Sequence, residues 1–284
     1  VFWRQCDHRA SARDCSGVTV SDTKNITALN REAWNASAPL HGTGPAWDDL
    51  CKVISAGGST LDATLIEELQ AAGIKGARLA QIGCNNGREL FSALALGAAA
   101  AWGIDQSEAF LAQADHLNTL SPFDAQFLRA DIYALPHDTP CDFDLLFITI
   151  GVLNWMPDLP LFFKTIAGLL RSGGQLVIYE THPMLEMFDP ASDAPHTPAF
   201  SYFQTDAHIE TESITYDCSG TEGAPEAHWF PHTLSAIVQA ALDAGLSLNT
   251  LREFPHSIRE VDYDIYTDQQ AQLPMSYLLR ATRD

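Results

Sequence analysis

Five short pieces of the chain combine residue types suited to a nucleotide-like ligand. Gly83-Cys84-Asn85-Asn86-Gly87 follows an apolar run. Two glycines let the backbone turn tightly and come close to a ligand. A helix that starts there points its free N–H groups at whatever the loop encloses. Asp105 follows Gly87 by 18 residues, and an acidic side chain at that place accepts hydrogen bonds from a ribose diol. Its plainer role is to cap the next helix. Asp131-Ile132 suits an adenine amino group and one face of the ring. Thr149-Ile150-Gly151-Val152-Leu153-Asn154-Trp155 and Glu180-Thr181-His182-Pro183 complete the set. Singly each piece is unspecific; their order and spacing are not.

The elements that must hold these pieces follow from hydrophobic periodicity. Strands are expected at 78–82, 100–104, 125–128, 144–150 and 175–179, and two closing strands at 246–254 and 276–281. Helices are expected at 88–96, ended by Gly97, and after Ser107, with further ones over 159–170 and 234–242. Ser59-Thr60-Leu61-Asp62 has a capping-box pattern ahead of Leu61, Leu65 and Leu69. The strand–helix rhythm predicts an α/β fold: a doubly wound, Rossmann-like, mostly parallel seven-stranded sheet with helices on both faces. In such a fold a ligand sits beyond the C-terminal ends of the strands, where all five pieces fall. Residues 1–24 lack any period and are expected to be a flexible extension, with 25–284 as a single domain. Two stretches leave the rhythm. Residues 25–58 are expected to form an N-terminal lid. Residues 181–231, with one strand near 209–216, are expected to form an insert that covers the substrate.

Composition narrows the function classes. The chain has 284 residues, 46% hydrophobic and 18% charged, the range of a protein with a real core. With 16 Lys and Arg against 36 Asp and Glu, the formal charge is −20. Binding to nucleic acid or anionic lipid draws on Lys and Arg, so neither is an expected partner. No run approaches the roughly 20 apolar residues of a membrane span. The six cysteines form no CxxC pair, which predicts reduced thiols in a cytoplasmic protein. His228 and His232 have i, i+4 spacing, but Pro231 between them breaks the helix a metal pair would require. Cys84 has no evident base partner and reads as a small core residue. No metal is expected, and the oligomeric state is left open.

LAQIGCNNGREL, AAWGIDQSEAFLAQA, RADIYALP, FDLLFITIGVLNWMPDL and LLRSGGQLVIYETHP together resemble the class I S-adenosylmethionine-dependent methyltransferases. SYF (201–203), HWFPHTL (228–234) and ALDAGLSLNTLREFP (241–255) resemble the C-terminal half of a bacterial subgroup acting on small molecules. The resemblance implies S-adenosyl-L-methionine as cofactor. It implies that Gln81, Gly83, Asn85 and Gly87 wrap the methionine part, that Asp105 holds the ribose with Gln106 beside the adenine, and that Asp131 and Ile132 bind the adenine. Ile150 would offer its carbonyl near the methionine amino group. Two positions depart from the family pattern: Gln81 stands where an acid is usual, and Asn85 where Gly is usual. Asn tolerates the backbone angles that Gly supplies.

The implied reaction is in-line transfer of a methyl group to O, N or S of a small-molecule acceptor. His182 is the first candidate base, against an equally weighted reading as a histidine hydrogen-bonded in the turn before Pro183. Asn154 and Trp155 are candidates for the methyl site, Tyr202 and His228 are weaker ones, and Trp34 and His41 are candidates to close over the cofactor. Two alternatives remain. A nicotinamide-dependent oxidoreductase on the same fold would show Gly-x-Gly-x-x-Gly, but Asn85 and Arg88 occupy its second and third glycine positions. A non-catalytic S-adenosylmethionine-binding protein would not need the aromatic 181–231 segment.

Overall fold

The computed structural model describes residues 20–215, 220–259 and 261–284. Seven strands form one sheet: β1 (Arg78–Ile82), β2 (Ala100–Asp105), β3 (Gln126–Arg129), β4 (Phe143–Thr149), β5 (Leu170–Thr181), β8 (Leu246–Phe254) and β9 (Ser276–Arg283). Their order is β3-β2-β1-β4-β5-β9-β8. The β3, β2, β1, β4 and β5 ladders are parallel, and β9 runs antiparallel between β5 and β8. This is the doubly wound sheet that the periodicity predicts.

Side-chain alternation along the central strands feeds two cores, one on each face of the sheet. Leu145, Phe147, Val177 and Tyr179 face Leu65 and Leu69 of α3 (Ala63–Ala71) and Leu90, Phe91 and Leu94 of α4 (Arg88–Ala95). Leu146, Ile148, Leu176 and Ile178 face Phe162, Phe163 and Ile166 of α6 (Leu159–Leu169) and Ile237 and Ala241 of α7 (Leu234–Asp243). Phe162, Phe163 and Ile166 are fully buried, each worth about 2 kcal/mol of removal from water. Strands covered on both faces read as unbroken apolar runs, which is why FDLLFIT and LVIY stand out in the sequence.

The expected helix starts hold with one shift. Ser107 accepts from the Phe110 N–H and caps α5 (Glu108–Leu120). The N-cap of α3 is Asp62, whose carboxylate accepts from the Leu65 N–H at 2.8 Å. Ser59, three residues earlier, instead accepts from Leu61 N–H within the preceding turn.

Outside the sheet, α1 (Val20–His41) and α2 (Gly44–Ser55) occupy the N-terminal segment. Residues 20–24, expected to be flexible, are the first turns of α1; residues 1–19, with Cys6, His8 and Cys15, lie outside the described residues. In 181–231 the structure has a hairpin of β6 (His208–Glu212) and β7 (Glu222–Trp229). β6 is shorter than expected, and Tyr216 lies outside the described residues. β7 carries Gly223 and Pro225 and lacks an apolar period, so its sequence gives no strand signal. It exists because α1 and β6 flank it. Buried Asn30 of α1 donates to the His228 carbonyl at 3.1 Å and accepts from the His228 N–H at 2.7 Å. Ser37 accepts from the Ile214 N–H at 2.8 Å. No described helix is long and apolar enough to cross a membrane.

Candidate active site

The C-terminal ends of β1, β2, β3 and β4 open into a cleft of ≈ 750 Å³ of empty space, counted with the solvent at its mouth. Gly83, Asn85, Asp105 and Gln106 line one side, and Asp131, Ile132 and Ile150 line the rest of its floor. Seven of the nine residues expected to hold a cofactor thus meet in one place.

The loop after β1 turns because its backbone visits left-handed angles: Gly83 at φ +65°, Asn85 at +51° and Gly87 at +77°. A Cβ on Gly83 would meet Val152 Cγ2 at 2.6 Å, so only glycine fits between β1 and the turn after β4. Gly87 does not line the cleft. It starts α4, and a Cβ there would press on the Phe127 ring at 3.0 Å.

Asp105 ties the loop to β2. One carboxylate oxygen accepts from the Asn85 N–H at 2.8 Å and the other from the Ser107 N–H at 2.9 Å. Burial raises its carboxyl above the ordinary value, and backbone N–H donors from Ser107, Asn85 and Gln106 oppose the shift. Asp131 accepts from the Thr27 hydroxyl at 2.6 Å and from the Tyr133 N–H at 2.9 Å. Gln81 lies behind the loop, 1% exposed. Its amide nitrogen donates to Thr149 Oγ1 at 3.2 Å, while its carbonyl oxygen is buried with no hydrogen-bond partner. An unpaired buried acceptor costs about 1–3 kcal/mol, and a ligand ammonium would satisfy it. The orphaned oxygen and the glycine cradle both fit the methionine end of S-adenosylmethionine.

After β4 the chain reverses sharply. Ile150 sits at φ +26° and Gly151 at +83°. A β-branched residue in this region is strained. Glu180, at the end of β5 and 2% exposed, holds the turn. Its carboxylate accepts from the N–H groups of Gly151, Val152 (2.9 Å) and Leu153 (3.3 Å). Sequence reasoning assigns Glu180 no role, although an acid ending an apolar strand was the available signal. Thr27, Phe110 and Met156 also line the cleft and carry no sequence signal, because only the fold brings them there.

The far wall is aromatic. Trp34 of α1 and Trp155 line the cleft, with ring centroids 5.4 Å apart and edge-to-face. Trp34 also meets Phe110 at 5.6 Å, and Trp155 meets Trp229 of β7 at 5.0 Å. His41 packs on Phe110 and bonds to the Ile214 carbonyl at 2.8 Å.

The expected catalytic candidates are not at this cleft. His182 is 4% exposed, and both ring nitrogens are engaged: Nδ1 accepts from the Met184 N–H at 3.0 Å, and Nε2 pairs with Glu253 at 2.8 Å. Burial pulls its pKa below the ordinary value, with Glu253 opposing. These contacts fit a histidine hydrogen-bonded in the turn, and His182 is not among the residues lining the cleft. The Asn154 amide donates to the Phe230 carbonyl at 3.1 Å, fixing the turn that presents Trp155. The Tyr202 hydroxyl accepts from the Leu234 N–H at 3.0 Å, at the start of α7. His228 pairs with Glu226 at 2.7 Å, and His232 bonds to the Met156 carbonyl at 2.9 Å. Cys84 is fully buried, its thiol pushed well up by burial.

Comparison with known proteins agrees with this geometry. Residues 80–178 match the family described as the methyltransferase domain. A tRNA U34 carboxymethyltransferase of Idiomarina loihiensis is 33% identical over 109 residues, 37% of this chain and 33% of that protein. The chain thus spans about a third of the length of that curated relative. Among solved structures, an S-adenosylmethionine dependent methyltransferase from Mesorhizobium loti aligns with a TM-score of 0.52 at 21% identity, over 76% of this chain and 96% of that one. Magnesium protoporphyrin IX methyltransferase from Synechocystis, with S-adenosylhomocysteine bound, aligns with a TM-score of 0.53 at 14% identity, over 92% and 97%. The fold is the one these solved structures share, and residues 80–178 are similar to the methyltransferase domain family.

Proposed function

We propose that the protein is a methyltransferase that moves a methyl group from S-adenosylmethionine to a small-molecule acceptor. The observation that carries this reading is the convergence of Gly83, Asn85, Asp105, Gln106, Asp131, Ile132 and Ile150 on one cleft. In this reading Asp105 receives the ribose hydroxyls with Gln106 beside the adenine. Asp131 and Ile132 meet the adenine edge and ring. Gln81 Oε1 and the Ile150 carbonyl take the methionine ammonium, and the loop from Gly83 to Gly87 wraps the rest. The bound cofactor supplies a methyl carbon already activated on a sulfonium, so the protein's task is alignment and exclusion of water. Trp34 and Trp155 serve that task by walling the cleft against solvent, with α1 as the lid.

The acceptor side is the 181–231 segment, stitched to α1 through Asn30 and Ser37. Nucleic acid is a poor fit to it. The relative named above acts on tRNA, but this chain has 16 Lys and Arg in 284 residues, and phosphate contacts carry most nucleic-acid affinity.

Isothermal titration with S-adenosylhomocysteine and with NAD tests the reading. Micromolar binding of S-adenosylhomocysteine alone is expected, and binding of NAD alone overturns it. Turnover across thiols, amines, phenols and carboxylic acids then separates an enzyme from a cofactor-binding protein.

A further inference from the structure

α1 docks on the domain with little apolar anchorage. Among its described side chains the buried ones are Thr23, Thr27, Asn30, Ala33, Ser37 and Ala38, with no Leu, Ile, Val, Met or Phe. α6, by contrast, buries Leu159, Phe162, Phe163, Ile166 and Leu169. Large apolar side chains supply most of the free energy that docks a helix. A helix without them belongs to the part of a fold that opens first.

Polar contacts hold α1 instead, and they fall on two adjacent stripes of helical spacing. Thr27, Trp34 and Asn35 form the stripe toward the cleft. Thr27 donates to Asp131 at 2.6 Å, Trp34 lines the cleft, and Asn35 Oδ1 accepts from the Ser107 hydroxyl at 2.7 Å, next to Gln106. Asn30, Ser37 and His41 form the stripe toward the hairpin. Asn30 engages both main-chain groups of His228. Ser37 accepts from the Ile214 N–H, and His41 Nε2 bonds to the Ile214 carbonyl. β6 and β7 contribute no residue to the lining of the cleft. Besides α1, the hairpin reaches the cleft through its base, where Trp229 meets Trp155 and the Phe230 N–H donates to the Asn154 carbonyl at 2.7 Å.

We propose that α1 couples the two ligand sites: cofactor in the cleft docks α1, docked α1 orders the hairpin, and the acceptor cover is complete only once the cofactor is bound. This rests on the cofactor reading above and adds an order of assembly to it. A ligand that fills the cleft adds contacts to Thr27 and Trp34, which line it, and so favours the docked helix. Coupling is reciprocal. Cutting the hairpin from α1 must therefore weaken cofactor binding, although neither Asn30 nor Ser37 lines the cleft.

The test is amide hydrogen exchange over seconds to minutes, with and without saturating S-adenosylhomocysteine. In the wild-type protein the ligand is expected to slow exchange about tenfold in α1 and in residues 222–228 of β7. Asn30→Ala should keep the slowing in α1, lose it in β7, and weaken S-adenosylhomocysteine binding about fivefold. Ser37→Ala, a milder cut in the same link, should weaken it about threefold. A β7 that does not respond in the wild-type protein overturns the proposal. So does a response that survives Asn30→Ala, which would run through Trp155 and Trp229. So does an affinity that stays within about twofold in both variants, which would leave Asn30 and Ser37 a purely structural role. Binding of S-adenosylhomocysteine without a response in β7 leaves the cofactor reading intact; no binding by the wild-type protein sinks both.

Discussion

The wall of the cleft formed by the parallel strands is built from backbone. Gly83, Asn85 and Gly87 supply left-handed turns, and the carboxylates of Asp105 and Glu180 are engaged with main-chain N–H groups. The opposite wall is built from side chains. Trp34, Trp155 and Trp229 pack edge-to-face, and Asn30, Ser37 and Thr27 reach across long stretches of sequence to pin α1 down. Turn geometry that tolerates one residue type cannot drift without loss of the site. A packed aromatic wall can be repacked around a different acceptor while the cofactor end stays fixed. On the proposed function, the difference assigns cofactor recognition to the first wall and acceptor choice to the second.

Glu180 joins the walls, so its loss should have the largest effect. Glu180→Ala leaves the buried N–H groups of Gly151, Val152 and Leu153 without their acceptor. We expect about 3–5 kcal/mol lower stability in urea unfolding, with cofactor binding lost as the turn after β4 relaxes. Glu180→Gln should cost less than half as much, since it keeps an acceptor oxygen.

Acid should loosen the second wall. His232 is pulled down to about 4 by burial, whereas the unfolded chain binds the proton near 6.5. The unfolded state therefore holds more protons between these values. The stability this neutral histidine contributes is full above pH 6.5 and is lost as pH falls toward 4, by at most about 3 kcal/mol. Thermal melts from pH 8 to 4 should show the loss, and His232→Asn should flatten it. An unchanged slope in the variant would place the acid sensitivity elsewhere.

In the first wall, Gly83→Ala puts a methyl group against Val152 at a backbone angle of φ +65°. S-adenosylhomocysteine affinity should fall about 100-fold, equivalent to roughly 2.7 kcal/mol, in a protein whose circular dichroism is unchanged. The smallest expected effect is on the bond between the walls. Thr27→Val removes the 2.6 Å hydrogen bond to Asp131, which should cost about 1 kcal/mol and make α1 more open to proteolysis at unchanged fold.

Much of the first wall is legible in the sequence because its causes are local. Residues 79–82 are an almost unbroken run buried on both faces of the sheet, Ser107 caps the helix that begins at Glu108, and the glycines sit where the turn needs them. The second wall is not, because its causes are tertiary. β7 has no strand pattern of its own and is held by α1 and β6. His182 reads equally well as a base and as a turn residue until Glu253 and the Met184 N–H are seen to occupy its ring. Thr27 lies 104 residues from its partner Asp131, a separation no sequence period records. Gln81 stands out in the sequence as an uncharged substitute, but its orphaned oxygen is visible only once Thr149 takes the nitrogen.

The position of β9 bears on how the chain is made. Residues 276–283 come after every other described strand in sequence, yet they lie between β5 and β8. Until they emerge from the ribosome, Gln175–Thr181 of β5, with Val177, Ile178 and Tyr179, presents an unpaired edge, and β8 has no strand partner among the described residues. Open apolar edges invite pairing between chains, and partly built domains aggregate by that route. Nascent chains released short of residue 276 should therefore be the species that chaperones retain.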